Sequence, residues 1–146
     1  MNIMTKFVDN LNYLISEKEI LAKQLAREIG LTEATLSRYR KGINTPSVSN
    51  LIKFADYFQC SVDFLLGFEE ENGKLTFKPC PPFAERMAQL PSLFNLSAYA
   101  FCRKVKISET AFYDWKSGSK EPNIFSLIKI AKYFDCRIDY LLGRES

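Results

Sequence analysis

The sequence contains no histidine. That removes His-ligated zinc, Ser–His–Asp and Cys–His nucleophile pairs, and the side chain best suited to move protons near neutral pH. Its four cysteines, Cys60, Cys80, Cys102 and Cys136, show no Cys-x-x-Cys spacing. In a cytosolic chain they read as reduced core thiols, not disulfides or metal ligands. No apolar run approaches the ~18 residues of a membrane span, and no signal-peptide pattern opens the chain. Glycine and proline are sparse, six of each, which argues against low complexity. A Gly-rich phosphate loop and paired catalytic carboxylates are both missing. These absences argue against an enzyme, and they suggest no metal, no cofactor and no small-molecule effector. A cytoplasmic protein is expected. The charge is close to balanced: a net +3 does not by itself identify a nucleic-acid partner.

What is present is an ordinary globular composition, 47% hydrophobic and 25% charged. The 146 residues suit one domain or two small ones. A repeat decides between them. Shifted by 76 positions, residues 7–67 align with 83–143 without a gap, with 19 identities in 61 pairs. Phe7 meets Phe83, Gly42 meets Gly118, Pro46 meets Pro122, Cys60 meets Cys136, and Leu65-Leu66-Gly67 meets Leu141-Leu142-Gly143. Two copies are too few for a solenoid, so each reads as a complete small domain. The expected division is 1–67, a linker at 68–82, and 83–146. In the linker, Asn72-Gly73 and the following Lys74–Lys78 stretch read as a solvated connection or a short hairpin. Pro79, Pro81 and Pro82 stiffen its end.

Charge is unevenly distributed. Residues 1–71 hold 8 Lys/Arg and 10 Asp/Glu, whereas residues 72–146 hold 12 and 7. Against that trend, Arg38, Arg40 and Lys41 cluster in the acidic half.

The cluster lies in residues 31–46, which read as a helix with Thr32 as its N-cap, Gly42 as its stop and Pro46 beyond. At about 100° per residue, Thr35, Leu36 and Tyr39 gather on one side, and Glu33, Ala34, Ser37, Arg38 and Lys41 on the other. The second side is short, polar and partly cationic, as a helix in the DNA major groove must be. Residues 20–30 form a preceding amphipathic helix with Leu21, Leu25 and Ile29 apolar, small Ala22 and Ala26, and Gly30 at the turn. In the first copy, Phe7, Leu11 and Leu14 line an opening helix. Ser47 caps a fourth helix bearing Leu51, Phe54, Ala55 and Phe58, and residues 62–66 form a fifth. In the second copy, Phe83, Met87 and Leu90 line the opening helix, which Pro91 should end or kink. The helices that follow are read at 96–105, 108–117, 123–135 and 138–142.

The pattern Leu25-Ala26-x-x-Ile29-Gly30-Leu31-Thr32 … Leu36-Ser37-Arg38-Tyr39 … Gly42 … Pro46 resembles the lambda-repressor-like, Cro/cI-type (XRE-like) helix-turn-helix family. The resemblance implies an all-α fold, two tandem five-helix domains, and double-stranded DNA as the partner. It implies base contacts at positions 33, 34 and 38, and a homodimer surface at the ends of helices four and five. The chain departs from the family in two places. Ala22 and Ala98 replace a usual phosphate-contacting Gln. Arg40 and Lys116 stand where Glu is frequent.

The residues themselves suggest roles. Arg38 suits guanine O6/N7, Glu33 a cytosine amino group, and Ala34 a thymine methyl, with Ser37 beside them. Thr32, Arg40, Lys41 and Asn44 suit phosphates. In the second copy the exposed face is Glu109, Thr110, Tyr113, Asp114 and Ser117, the first four as base-contact candidates, with Arg103, Lys104, Lys106, Lys116 and Lys120 around it as phosphate candidates. Carboxylates facing a polyanion leave three readings open for that copy: a second base reader, a weak non-specific grip, or a protein-interaction module. For the whole chain, the expectation is a sequence-specific bacterial or phage transcriptional regulator. The alternative is an HTH-derived, antitoxin-like accessory module with weak DNA binding.

Overall fold

The computed structural model describes residues 3–70 and 77–145, and among these residues there is no strand. The chain divides into two compact units, Met1–Thr76 and Phe77–Ser146. The first contains α1 (Ile3–Lys18), α2 (Ala22–Ile29), α3 (Glu33–Arg40), α4 (Val48–Phe58) and α5 (Val62–Leu65). The second contains α6 (Phe83–Leu93), α7 (Ala98–Val105), α8 (Glu109–Ser117), α9 (Ile124–Phe134) and α10 (Ile138–Leu141). The expected hairpin falls mainly on residues 71–76, outside the described residues. Residues 77–82 pack within the second unit: the Lys78 N–H donates to the Arg144 carbonyl at 2.8 Å, and Pro81 lies against Gly143.

Side-chain caps set most helix starts. Thr32, Ser47 and Ser61 in the first unit, and Ser97, Ser108 and Asn123 in the second, each accept a backbone N–H three residues on. Such a cap contributes about 1 kcal/mol by satisfying a donor that the helix itself leaves unpaired. The caps also correct two boundaries. Leu21 is not on the buried face of α2: it occupies the extended N-cap position and is 74% exposed. Helix α7 begins after Ser97, not at Leu96. Pro91 does not end the opening helix of the second unit. It sits in the last turn of α6, which continues to Leu93, one residue short of the equivalent end of α1. Its missing N–H leaves only the Met87 carbonyl, four residues back, without that partner, and no further turns have to be built past the ring.

The two cores use aromatics differently. In the first unit, Phe7, Tyr39 and Phe54 meet pairwise at 5.9–6.4 Å and join α1, α3 and α4. In the second unit, Phe101 contacts Phe112 at 5.5 Å and Phe134 at 5.7 Å, joining α7, α8 and α9. Phe94 stacks on Phe134 at 3.8 Å. The opening helix reaches the last helix by the same route in both units. Asn10 Nδ2 donates to the Phe64 and Leu65 carbonyls at 2.8 and 3.3 Å. At the matching place, Arg86 donates to the Tyr140 and Leu141 carbonyls at 2.6 and 3.0 Å. Both side chains satisfy carbonyls at a helix end that would otherwise need water.

The turn between the second and third helices is left-handed in both units. Gly30 has φ 75°, which costs glycine nothing. Lys106 takes φ 63° at the same place, at a cost of roughly 1 kcal/mol for a residue with a Cβ.

Candidate nucleic-acid interface

Helix α3 is held on its inner side and open on its outer side. Leu36 and Tyr39 are 1% and 5% exposed, and the Tyr39 hydroxyl accepts a 2.7 Å hydrogen bond from Asn50. This anchoring aims the other side outward. Glu33, Ala34 and Arg38 are exposed, as are Lys41 and Asn44 beyond the helix end, while Ser37 is half-buried. Thr32 is exposed, but its Oγ1 already accepts the Thr35 N–H at 3.1 Å. Arg38 and Arg40 lie in the last turn, where cations complement the negative end of the helix dipole.

A concavity of about 490 Å³ runs beside this face, lined by Asn12, Ala22, Glu33, Ser37, Arg40 and Lys41. Asn12, on α1, was not anticipated. Its Oδ1 accepts from Arg40 Nε at 2.7 Å, and its Nδ2 donates to the Arg40 carbonyl at 3.2 Å. The Arg40 side chain is therefore oriented from α1 and is half-buried, not a loose helix end. Sequence offered little signal for Asn12, a polar residue one position past Leu11.

The second unit repeats the concavity at about 440 Å³, lined by Ala98, Cys102, Glu109, Thr110, Phe112, Tyr113 and Lys116. Its chemistry differs: aromatic rings and a thiol replace guanidinium and amide. Burial, and then the Glu109 charge, push the Cys102 thiol pKa up and keep it protonated. Tyr113 is 63% exposed. Asp114 is engaged at home. Its carbonyl accepts from Ser117 and Ser119 hydroxyls, and its carboxylate lies 3.8 Å from Lys120 Nζ. Two residues expected to face DNA separately are thus partnered with each other. Arg103, Lys104, Lys106 and Lys116 are exposed.

Two short helices joined by a left-handed turn, the second side-chain-capped and presenting an exposed polar face, define a helix-turn-helix protein with the motif written twice. Residues 10–71 and 93–146 both match the Cro/C1-type HTH DNA-binding domain, and the chain belongs to that family. It is 38% identical over 63 residues to the HTH-type transcriptional activator BcrR of Enterococcus faecalis, covering 43% of this chain and 31% of that protein. It is 26% identical over 61 residues to YobD, an uncharacterized HTH-type transcriptional regulator of Bacillus subtilis, covering 42% and 54%. A Haemophilus influenzae HTH-type transcriptional regulator, also uncharacterized, is 37% identical over 59 residues, covering 40% and 24%. The matches therefore span about a quarter to a half of these relatives. No solved structure matches the chain. None of the helices among the described residues is long and apolar enough to cross a membrane.

Proposed function

We propose that the chain is a cytoplasmic, sequence-specific regulator of transcription that applies both domains to one DNA duplex, with α3 laid in the major groove. The observation that carries this reading is the anchoring of α3: Leu36 and Tyr39 fix it in the core while Arg38 and Lys41 stay exposed. Arg38 takes the guanine contact, because a guanidinium matches O6 and N7 in two places. Glu33, Ala34 and Ser37 contact neighbouring bases. Thr32, Arg40, Lys41 and Asn44 hold phosphates, with Arg40 oriented by Asn12. Two domains in one chain can both engage one duplex, as the two halves of a symmetric dimer otherwise do. Their unequal faces call for an asymmetric operator. A homodimer through the ends of helices four and five remains part of this reading, with Phe64, Leu65 and Leu66 buried in their own core and so outside such a contact.

The rival reading is a protein-interaction or antitoxin-like module. It draws on the aromatic and acidic face of α8, where Tyr113 is exposed beside Glu109. It requires partner binding with little salt-dependent DNA affinity.

Selection of bound sites from random duplexes separates the two. The wild type is expected to enrich one asymmetric sequence. Arg38→Ala should bind that sequence about 1–3 kcal/mol more weakly and lose preference at one base pair. Unchanged affinity together with unchanged preference removes Arg38 from the role.

A further inference from the structure

The two copies carry their charge in different places. On the third helix and the residue after it, the first unit has three cations, Arg38, Arg40 and Lys41, against the single carboxylate of Glu33. The corresponding stretch of the second unit has one cation, Lys116, against Glu109 and Asp114. The surface where the second and fourth helices meet changes in the opposite sense. In the first unit it holds Arg27, Glu28, Gly30, Lys53 and Asp56, two cations and two carboxylates. The same five places in the second unit are Arg103, Lys104, Lys106, Lys129 and Lys132, all cationic.

Direct contacts join these helices into one surface. In the first unit, the Tyr57 hydroxyl of α4 donates to Glu28 of α2 at 2.6 Å. In the second, Lys129 Nζ of α9 donates to the Lys106 carbonyl, just beyond α7, at 2.7 Å. All five cations are exposed, and among the described residues no carboxylate pairs with any of them. Arg103 is also pre-oriented: its Nη1 donates to the Tyr99 hydroxyl at 2.8 Å, and its guanidinium lies 5.6 Å from that ring's centre. Like charges on one surface repel one another, and a regular polyanion relieves that repulsion.

We infer that the second unit grips the sugar–phosphate backbone of duplex DNA through the α7–α9 junction, at Arg103, Lys104, Lys106, Lys129 and Lys132, and that α8 does not read bases. Sequence choice then rests on the first unit, and the second adds affinity without preference. This rests on the DNA-binding reading above and specifies how the second copy takes part.

The test uses the full chain and a labelled duplex of the sequence that the wild type selects, titrated at several salt concentrations. The variant carrying Lys104→Glu, Lys106→Gly and Lys132→Asp gives the second unit the residues that the first unit bears at the same places. Loss of three phosphate contacts should flatten the plot of log K against log salt by about 2.7, or ~0.9 per contact. The selected sequence should not change. Thr110→Ala and Tyr113→Ala should leave both slope and sequence unaltered. An unchanged slope in the triple variant, with Trp115 fluorescence reporting a folded second unit, overturns the backbone grip. If that variant unfolds, Lys129→Gln decides instead, with an expected slope change of ~0.9. A shifted base preference in Thr110→Ala or Tyr113→Ala returns base reading to α8 and overturns the second half of the inference. Failure of the broader reading looks different: the wild type then enriches no sequence, and Arg38→Ala changes nothing.

Discussion

The two units close their last helix over the same backbone and fill it with opposite chemistry. The Phe68 N–H donates to the Asp63 carbonyl at 2.8 Å, and the Arg144 N–H donates to the Asp139 carbonyl at 2.9 Å. Beyond that shared bond the copies diverge. In the first unit, Phe68 is 43% exposed, and Ser61 donates to Glu69 at 2.7 Å. In the second, Arg144 is fully buried, its Nη1 donates to Asp139, its guanidinium lies 4.3 Å from the centre of the Phe77 ring, and Arg137 pairs with Glu145. Backbone geometry and apolar positions are common to both copies, while polar side chains have been exchanged around them. Helices α3 and α8 show the same rule. Leu36 and Tyr39 have the counterparts Phe112 and Trp115, all buried, while Arg38 has the counterpart Asp114.

The sharpest way to break this comparison is at Arg144. Arg144→Ala leaves Asp139 buried without its main cation and should destabilise the second unit by roughly 3–5 kcal/mol. Phe68→Ala at the matching place should cost about 1 kcal/mol or less. Urea unfolding followed by Trp115 fluorescence reads the second unit by itself, because the chain has a single tryptophan, and circular dichroism of the same samples adds the first unit. Equal losses would show that the two closures are equivalent after all. The next effect lies on α3 and α8. Arg38→Ala should cost about 1–3 kcal/mol in binding, whereas Asp114→Ala should leave affinity unchanged or raise it, since it removes a negative charge from the unit proposed to grip a polyanion. Equilibrium titration of one duplex with both variants checks the contrast.

Smaller effects should be symmetric. Thr32→Ala and Ser108→Ala each remove one cap and should each cost about 1 kcal/mol in thermal unfolding of their own unit. A large inequality would mean that the shared cap geometry carries unequal weight. The smallest effect distinguishes the α2–α4 junction. Hydrogen bonding to Glu28, then burial, then the Glu28 charge push the Tyr57 pKa up from 10.0 to about 12. A raised folded-state pKa means that this contact stabilises fully below the ordinary tyrosine pKa and is lost as pH rises through about 12. Alkaline spectrophotometric titration should therefore show one late-ionising phenol in the wild type, moved toward 10.0 in Glu28→Gln.

Much of the fold was legible because its signals are local. The Thr32 cap, the Gly30 turn and the spacing of Leu36 and Tyr39 act within four residues, and the copy at offset 76 states the cap and the apolar spacing again, with Lys106 in the glycine's place. The misread features were places where neighbours outweigh pattern. Leu21 looks like part of an apolar stripe, yet a residue in the extended N-cap position lies outside the helical phase. Pro91 looks like a breaker, yet it falls where the helix is already ending. The polar face of α3 was readable from angular spacing. The partners of its charges were not: Asn12 lies 28 residues from Arg40.

By itself, the sequence determined the class of fold, the number of copies and the outward side of α3 and α8. Caps, turn glycines and apolar periodicity act on near neighbours along the chain, so a linear string carries them. Only the tertiary structure decided which charges are spoken for and which stand open: Asn12 on Arg40, Lys120 on Asp114, Lys129 against Lys106. The Arg40 and Lys129 contacts join helices 28 and 23 residues apart. They depend on how helices pack, because a hydrogen bond works only within about 3 Å and in a narrow range of angles.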